Sequence, residues 1–213
     1  MKIALVCDNN NSWIIPYVKK LNELIKSLNH ESQIFHRYED VKSGDLAFFL
    51  GCETMVPNKI LALNNKNLVV HESELPKGKG WSPLTWQILE GKDRIPITLF
   101  EANSEVDSGD IYLQDQIKLE GHELLREIKH LQGEYTIKLV LKFINMYPDI
   151  EGRKQEGTPT FYSRRKPVDS RLDIDKTIEE QFNLLRVVDN ERYPAYFIYN
   201  NIKYSTFPLV KPL

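Results

Sequence analysis

The chain has 213 residues, 41% of them hydrophobic and 27% charged, with a formal net charge of −2. That is enough for one sizeable core, or one domain with a small appendage, and the slightly acidic balance argues against a protein held mainly by nucleic-acid phosphates. Two cysteines, Cys7 and Cys52, with no CxxC pattern, exclude a disulfide framework and a zinc signature, and no apolar run approaches a membrane span.

Lys2–Cys7 (KIALVC) is a short continuous apolar run without a small-residue cleavage site after it. It reads as a buried parallel strand, not a signal peptide, and the expected location is the cytoplasm. Asp8–Ser12 is turn chemistry able to cap the next helix. Trp13–Leu28 carries apolar residues at helical spacing. Gln33–His36, Leu46–Leu50 and Leu68–His71 are expected strands, and Pro57–Leu63 is a short helix with Pro at its start. Pro83–Leu89 is a helix, and Pro96–Phe100 and Ile111–Ile117 are strands. Leu124–Met146 is a long amphipathic helix stopped by Pro148. Glu151–Pro159 reads as a loop or linker and Asp175–Val188 as a helix. Ala195–Tyr199 and Ile202–Ser205 read as a hairpin turning at Asn200 and Asn201.

Strand–helix alternation of this kind predicts an α/β fold with a doubly wound, mostly parallel sheet. The expected division is a first domain over 1–150 and an extension of loop, helix and hairpin over 151–213. Ligands of such sheets sit beyond the carboxyl ends of the strands, where His71 and the Gly51–Val56 segment fall. Histidine titrates near neutrality and moves protons at working pH. Asp107, in an Asp-Ser-Gly-Asp turn, matters if it meets His71, because a carboxylate orients an imidazole and stabilises its charged form. By themselves, His71 reads first as a hydrogen-bonded structural histidine and Asp107 as ordinary turn chemistry.

The stretch VVHESELPKGKGWSP, followed by W…ILEG, ITLFEA and VDSGDI, resembles the folate-dependent formyltransferases. That family includes methionyl-tRNA formyltransferase, glycinamide ribonucleotide transformylase and the nucleotide-sugar N-formyltransferases. The resemblance is strong from about Leu46 to Gln116. It implies a Rossmann-like sheet, His71 and Asp107 as catalytic residues, and 10-formyltetrahydrofolate as co-substrate with no metal. It also implies donor-pocket walls from Cys52, Glu53, Met55 and Val56 on one side and Asn103 and Val106 on the other. One position departs from the pattern. Val69 stands where the family carries an Asn two residues before the His, and valine donates no hydrogen bond; Asn67 lies one pleat further back.

The acceptor is narrowed by what is missing. The Asp8–Ser12 loop has no glycine with which to approach a phosphate closely, and no stretch after Met146 reads as a basic tRNA-binding barrel. The tail FYSRRKPVDS resembles nucleotide-sugar N-formyltransferases, most nearly the pseudaminic-acid-pathway type. The expected acceptor is therefore the amine of a nucleotide-linked, UDP-type amino sugar used in surface-glycan synthesis. Ser73, Lys77, Lys79, Trp81 and Tyr162 are the candidate acceptor-binding residues: the lysines for a diphosphate, Trp81 or Tyr162 for stacking. A homodimer through the C-terminal hairpin is expected. A formyltetrahydrofolate hydrolase and a non-catalytic folate- or nucleotide-binding domain remain as alternatives.

Overall fold

The computed structural model describes residues 1–206. Its centre is a six-stranded sheet built from β1 (Lys2–Val6), β2 (Glu31–Phe35), β3 (Gly44–Phe49), β4 (Asn64–His71), β6 (Arg94–Glu101) and β7 (Ile111–Lys118), in the order β2-β1-β3-β4-β6-β7. The β1–β2, β1–β3 and β3–β4 pairings are parallel, and β6 and β7 run antiparallel at the far side. The short β5 (Lys79–Gly80) pairs instead, in parallel, with β8 (Phe161–Tyr162). This is the mostly parallel α/β sheet that the alternation predicts.

The apolar runs form strands because both faces of the sheet are covered. On one face α1 (Ile15–Ser27), α3 (Pro83–Leu89) and α4 (Leu125–Met146) pack Leu21, Ile25, Ile88, Val140 and Phe143 against Leu5, Phe48, Leu68 and Ile97. On the other face α2 (Asn58–Leu61) contributes Ile60 to a smaller cluster with Val6, Phe35, Val41 and Phe49. Each such side chain, once fully buried, contributes roughly 1.5–3 kcal/mol. Among the described residues no helix is long and apolar enough to cross a membrane.

Three expectations shift. Strand β4 begins at Asn64, four residues earlier than the apolar run, because β3 offers a parallel partner as far back as Gly44. The Asp8–Ser12 side chains do not cap α1; Ile14 precedes it without a side-chain cap, and Ser12 O accepts the Ile15 N–H. The expected Asp175–Val188 helix is only a 3₁₀ turn, Glu179–Gln181, running into α5 (Phe182–Val187). Thr177 and Glu180 cap each other there, and Gln181 Nε2 donates to the carbonyls of Asp173, Lys176 and Thr177, which fixes the preceding residues as a loop. The hairpin forms as β9 (Ala195–Tyr199) and β10 (Ile202–Thr206), with Asn200 and Asn201 at φ 48° and 62°, the left-handed pair that a tight two-residue turn requires.

Candidate active site

His71 ends β4, opposite Thr98 of β6, and is buried. Its Nε2 lies 2.8 Å from the Gly78 carbonyl oxygen. A carbonyl only accepts, so Nε2 carries the proton. The same nitrogen stands 3.7 Å from Asp107 Oδ2. Asp107 arrives on the loop between β6 and β7 with φ 47°, and its Oδ2 accepts the Gly80 N–H at 2.8 Å. Gly109, two residues on, lets this loop close onto the sheet: a Cβ there would lie 1.7 Å from the Glu101 carbonyl oxygen. The two candidate residues thus meet although 36 positions separate them, as 107 minus 71 gives.

A polar chain runs from buried Ser73 and Thr98, the residue opposite His71, out to exposed Gln114 and Arg153. Thr98 Oγ1 donates to the Ser73 carbonyl at 2.6 Å and accepts from Gln114 Nε2 at 3.0 Å, and Arg153 Nη2 donates to Gln114 Oε1. The Ser73 hydroxyl is buried and has no hydrogen-bond partner among the described residues. It is a free donor two positions from His71.

Val69 offers no such donor. It packs against the Leu75–Phe100–Ile111 cluster and the Ala4–Val6–Phe49 cluster. Asn67 does not replace the missing amide, because its Nδ2 donates to the Leu61 carbonyl at 2.8 Å.

The loops on either side of β4 carry the expected donor-pocket residues. Met55 (48% exposed) and Val106 (44% exposed) present bare apolar side chains, with Cys52, Val56, Val69 and Ala102 partly buried beneath. Such a surface fits a flat, weakly polar ring. Asp8 organises the first loop by accepting the N–H groups of Glu53 and Thr54 and the Thr54 hydroxyl. Burial, with the Asp8 charge adding to it, pushes the Cys52 thiol up to about 12, so Cys52 is a neutral packing group there. The Glu53 carboxylate is engaged by Asn9 at 2.8 Å and Arg164 at 3.8 Å. Asn103 Oδ1 accepts from Glu105 N and Ser108 Oγ, both at 2.9 Å, so its amide shapes its own loop.

The candidate acceptor residues separate. Lys77 is exposed, while Lys79 is buried on β5. Trp81 is not an open platform, because the Arg164 guanidinium covers its ring at 4.6 Å. Tyr162 is engaged within the protein. It stacks on Trp86 at 6.3 Å, its hydroxyl donates to Glu90 at 2.8 Å, and its ring lies 3.0 Å from where a Gly78 Cβ would stand. Burial and that Glu90 contact raise its pKa. Its contacts are internal because β8 is drawn onto β5 by main-chain pairing, which sequence periodicity does not reveal.

A groove of about 1130 Å³ runs along the carboxyl ends of β1 and β2, lined by Asp8, Asn10, His36, Arg37 and Lys42 among others. Neither His71 nor Asp107 lines it, so chemistry and not volume locates the candidate centre. Sequence reasoning gave no role to Thr98, Gln114, Arg153, Gln155 or Thr160, whose hydrogen bonds link the segments around the pair. These are single polar residues in strand or loop, and only their long-range partners mark them.

Known proteins converge on the same region. A family model described as formyl transferase matches residues 8–131. The methionyl-tRNA formyltransferase of Prochlorococcus marinus (strain MIT 9515) is 25% identical over 169 residues, which is 79% of this chain and 49% of that protein. The chain spans about half the length of the curated relatives it matches. Among solved structures, methionyl-tRNA formyltransferase from Clostridium thermocellum superposes with TM-score 0.83 at 21% identity, over 100% of this chain and 94% of that one. HypX from Aquifex aeolicus in complex with tetrahydrofolic acid gives 0.79 at 16%, over 98% of this chain and 37% of that one. A sugar N-formyltransferase from Shewanella sp. FDAARGOS_354 gives 0.70 at 15%, over 100% and 99%. The matched span covers more than half of the chain and holds both His71 and Asp107; this protein belongs to the formyl transferase family.

Proposed function

We propose that this chain is an N-formyltransferase that moves the formyl group of 10-formyltetrahydrofolate to the amine of a nucleotide-linked amino sugar, in the cytoplasm. The observation that carries the reading is the buried His71 Nε2–H facing the Asp107 carboxylate at 3.7 Å inside the family match. The donor supplies an electrophilic formyl carbon. Its ring would lie on the apolar surface of Met55, Val56 and Val106; Cys52 lines that surface as a thiol, and Glu53 and Asn103 shape it through their loops.

Ser73 Oγ–H is the free hydroxyl able to meet negative charge developing on the transferred carbonyl oxygen in place of the absent amide at Val69, and His71 Nε2–H, held by the Gly78 carbonyl, joins it only by exchanging that bond for the oxygen. Asp107 stands beside the imidazole, which the Gly78 carbonyl holds, and takes the proton that the acceptor amine loses as its nitrogen bonds the formyl carbon. That proton goes on to the folate nitrogen whose bond to the formyl group breaks, so the reaction balances without metal or redox partner. Lys77 and Lys79 are the candidate phosphate contacts, and Trp81, partly exposed beside the Arg164 guanidinium, is the stacking candidate.

The sugar reading is supported by the end-to-end match with the Shewanella sugar N-formyltransferase and by the FYSRRKPVDS tail. A second reading, transfer to methionyl-tRNA, is favoured by the curated relatives. The chain divides in this reading into a catalytic unit over 1–150 and an extension over 151–213. The exposed Tyr199, Ile202 and Tyr204 of the hairpin form the surface through which two copies would pair.

The test is a screen of UDP- and dTDP-amino sugars and methionyl-tRNA with 10-formyltetrahydrofolate, following tetrahydrofolate release. A sugar acceptor supports the proposal and points to the pseudaminic-acid-pathway type if its amino sugars lead the series. Turnover with methionyl-tRNA alone replaces the acceptor. Formate release without any amine makes the chain a hydrolase, and no turnover with any of them makes it a binding domain.

A further inference from the structure

The segment from Arg153 to Tyr162 lies beyond the family match, which ends at residue 131. Its larger part falls in Glu151–Pro159, which reads in the sequence as loop or linker, yet it fastens the loop after His71 to the loop that carries Asp107. On the aspartate side, Gln155 Nε2 donates to the carbonyl oxygens of Asp107 at 2.9 Å and Gly109 at 2.8 Å. Arg153 exchanges two backbone hydrogen bonds with Ile111, of 2.8 and 2.9 Å. On the histidine side, Gly78 accepts from His71 Nε2 and gives its own N–H to Thr160 Oγ1 at 2.8 Å. Lys79 and Trp81 then donate to the carbonyls of Thr160 and Tyr162, at 2.9 and 3.1 Å.

Two features make these contacts more than loop decoration. Asp107 sits at φ 47° without being glycine, a conformation that persists only where the surroundings over-determine it. Gln155 does this by gripping the carbonyls on both sides of Ser108. Its orientation is unambiguous, because both partners are carbonyls and only the amide nitrogen donates; its Oε1 is buried with no hydrogen-bond partner among the described residues. The second feature is that Thr160 holds the N–H of Gly78, the residue whose carbonyl fixes the His71 tautomer.

We propose that Gln155 and Thr160 are positioning residues for the His71–Asp107 pair: Gln155 sets the Asp107 loop and Thr160 sets Gly78, so the segment outside the family match establishes the distance between the two candidate catalytic groups. The inference rests on the reading of that pair as catalytic, and its test separates the two.

The Gly80 amide proton reports the Asp107 contact directly, since it donates to Oδ2. Its NMR resonance in the full chain is compared for wild type, Asp107→Asn, Gln155→Ala and Gln155→Glu. The Glu variant keeps the size of the side chain and removes the two donors. Both Gln155 variants are expected to move the Gly80 resonance toward its Asp107→Asn position. They lower kcat about 10- to 100-fold, as a small misplacement of reacting groups does, with KM for the formyl donor and Tm near wild type. Thr160→Val shows the same split, and Thr160→Ser, which retains the hydroxyl, recovers it. A Gly80 resonance unmoved in Gln155→Glu overturns the proposal. A Gly80 resonance that moves while kcat stays at the wild-type value supports the positioning and overturns the catalytic role of the pair.

Discussion

Asp107 reaches Gly80 before it reaches His71: its Oδ2 accepts the Gly80 N–H at 2.8 Å and stands 3.7 Å from the imidazole. The carboxylate is therefore aimed by backbone, independently of any substrate, and the imidazole is aimed by the Gly78 carbonyl two residues earlier on the same loop. One short loop orients both groups, and such preorganisation is where catalytic sites gain most.

If the pair is catalytic, charge at position 107 matters more than shape. Asp107→Asn retains an oxygen for the Gly80 N–H and tolerates the left-handed backbone, yet it removes the negative charge and the proton acceptor. It and His71→Ala are each expected to lower the rate of formyl transfer at least about 100-fold, with Tm little changed in Asp107→Asn. Full activity in both variants would rule out the assignment.

Gly109→Ala places a Cβ 1.7 Å from the Glu101 carbonyl oxygen, a backbone atom that cannot swing aside. Overpacking of this kind costs about 1–3 kcal/mol, several degrees of Tm in a chain of this size. It should also remove activity by lifting the Asp107 loop off the sheet. Gly91→Ala is the control, with open space around the added Cβ at φ 84°; it should lose backbone stability alone and keep activity.

Arg186 is buried against Glu123 with Nη2 3.0 Å from Oε2, and this pair joins α5 to the turn before α4. Arg186→Met strands a buried carboxylate and is expected to cost about 3–5 kcal/mol. Burial opposes ionisation of Glu123, but the surrounding backbone N–H groups, with the Arg186 charge assisting, outweigh it and hold its pKa below the ordinary 4.5. Its contribution is complete above that value and disappears as pH falls through the lower folded-state pKa. Thermal unfolding measured below pH 4.5 should accordingly fall more steeply for wild type than for Glu123→Gln.

Lys129 works in the opposite direction. Its Nζ lies 4.1 Å over the Trp13 ring and 2.9 Å from Gln132 Oε1. Burial pushes its pKa down to about 8, against the opposing pull of Glu72 and Asp189. Between about 8 and the ordinary 10.5 the unfolded chain binds more protons than the folded one, so stability rises with pH across that window. Lys129→Met should remove the rise and be the more stable protein at pH 7. A wild type more stable than this variant at pH 7 would mean that the ring and carboxylates outweigh burial.

Val69→Asn tests the one departure from the family pattern. The side chain lies against two apolar clusters, so a carboxamide there is expected to cost about 1–3 kcal/mol and to give no gain in rate. A large gain would show that the site is missing that amide, and not that Ser73 already serves in its place.

Much of this protein is legible in its sequence. The apolar run Lys2–Cys7 forms the strand Lys2–Val6 and the helix Pro83–Leu89 appears where the pattern puts it, because burial on both faces or on one stripe writes itself into local periodicity. His71 and Asp107 stand out as a pair by motif. What sequence spacing did not reveal are single polar groups whose partners lie far along the chain. Gln155 reaches back 48 positions to Asp107, and Thr160 reaches back 82 to Gly78. Tyr162, a free ring on paper, is spent on Trp86 and Glu90. Trp81 is covered by Arg164 for the same reason. Periodicity records which side of an element is apolar. It does not record which buried carbonyl finds which donor, and that pairing, settled only when the segment 153–162 closes over both loops, brings His71 and Asp107 to 3.7 Å.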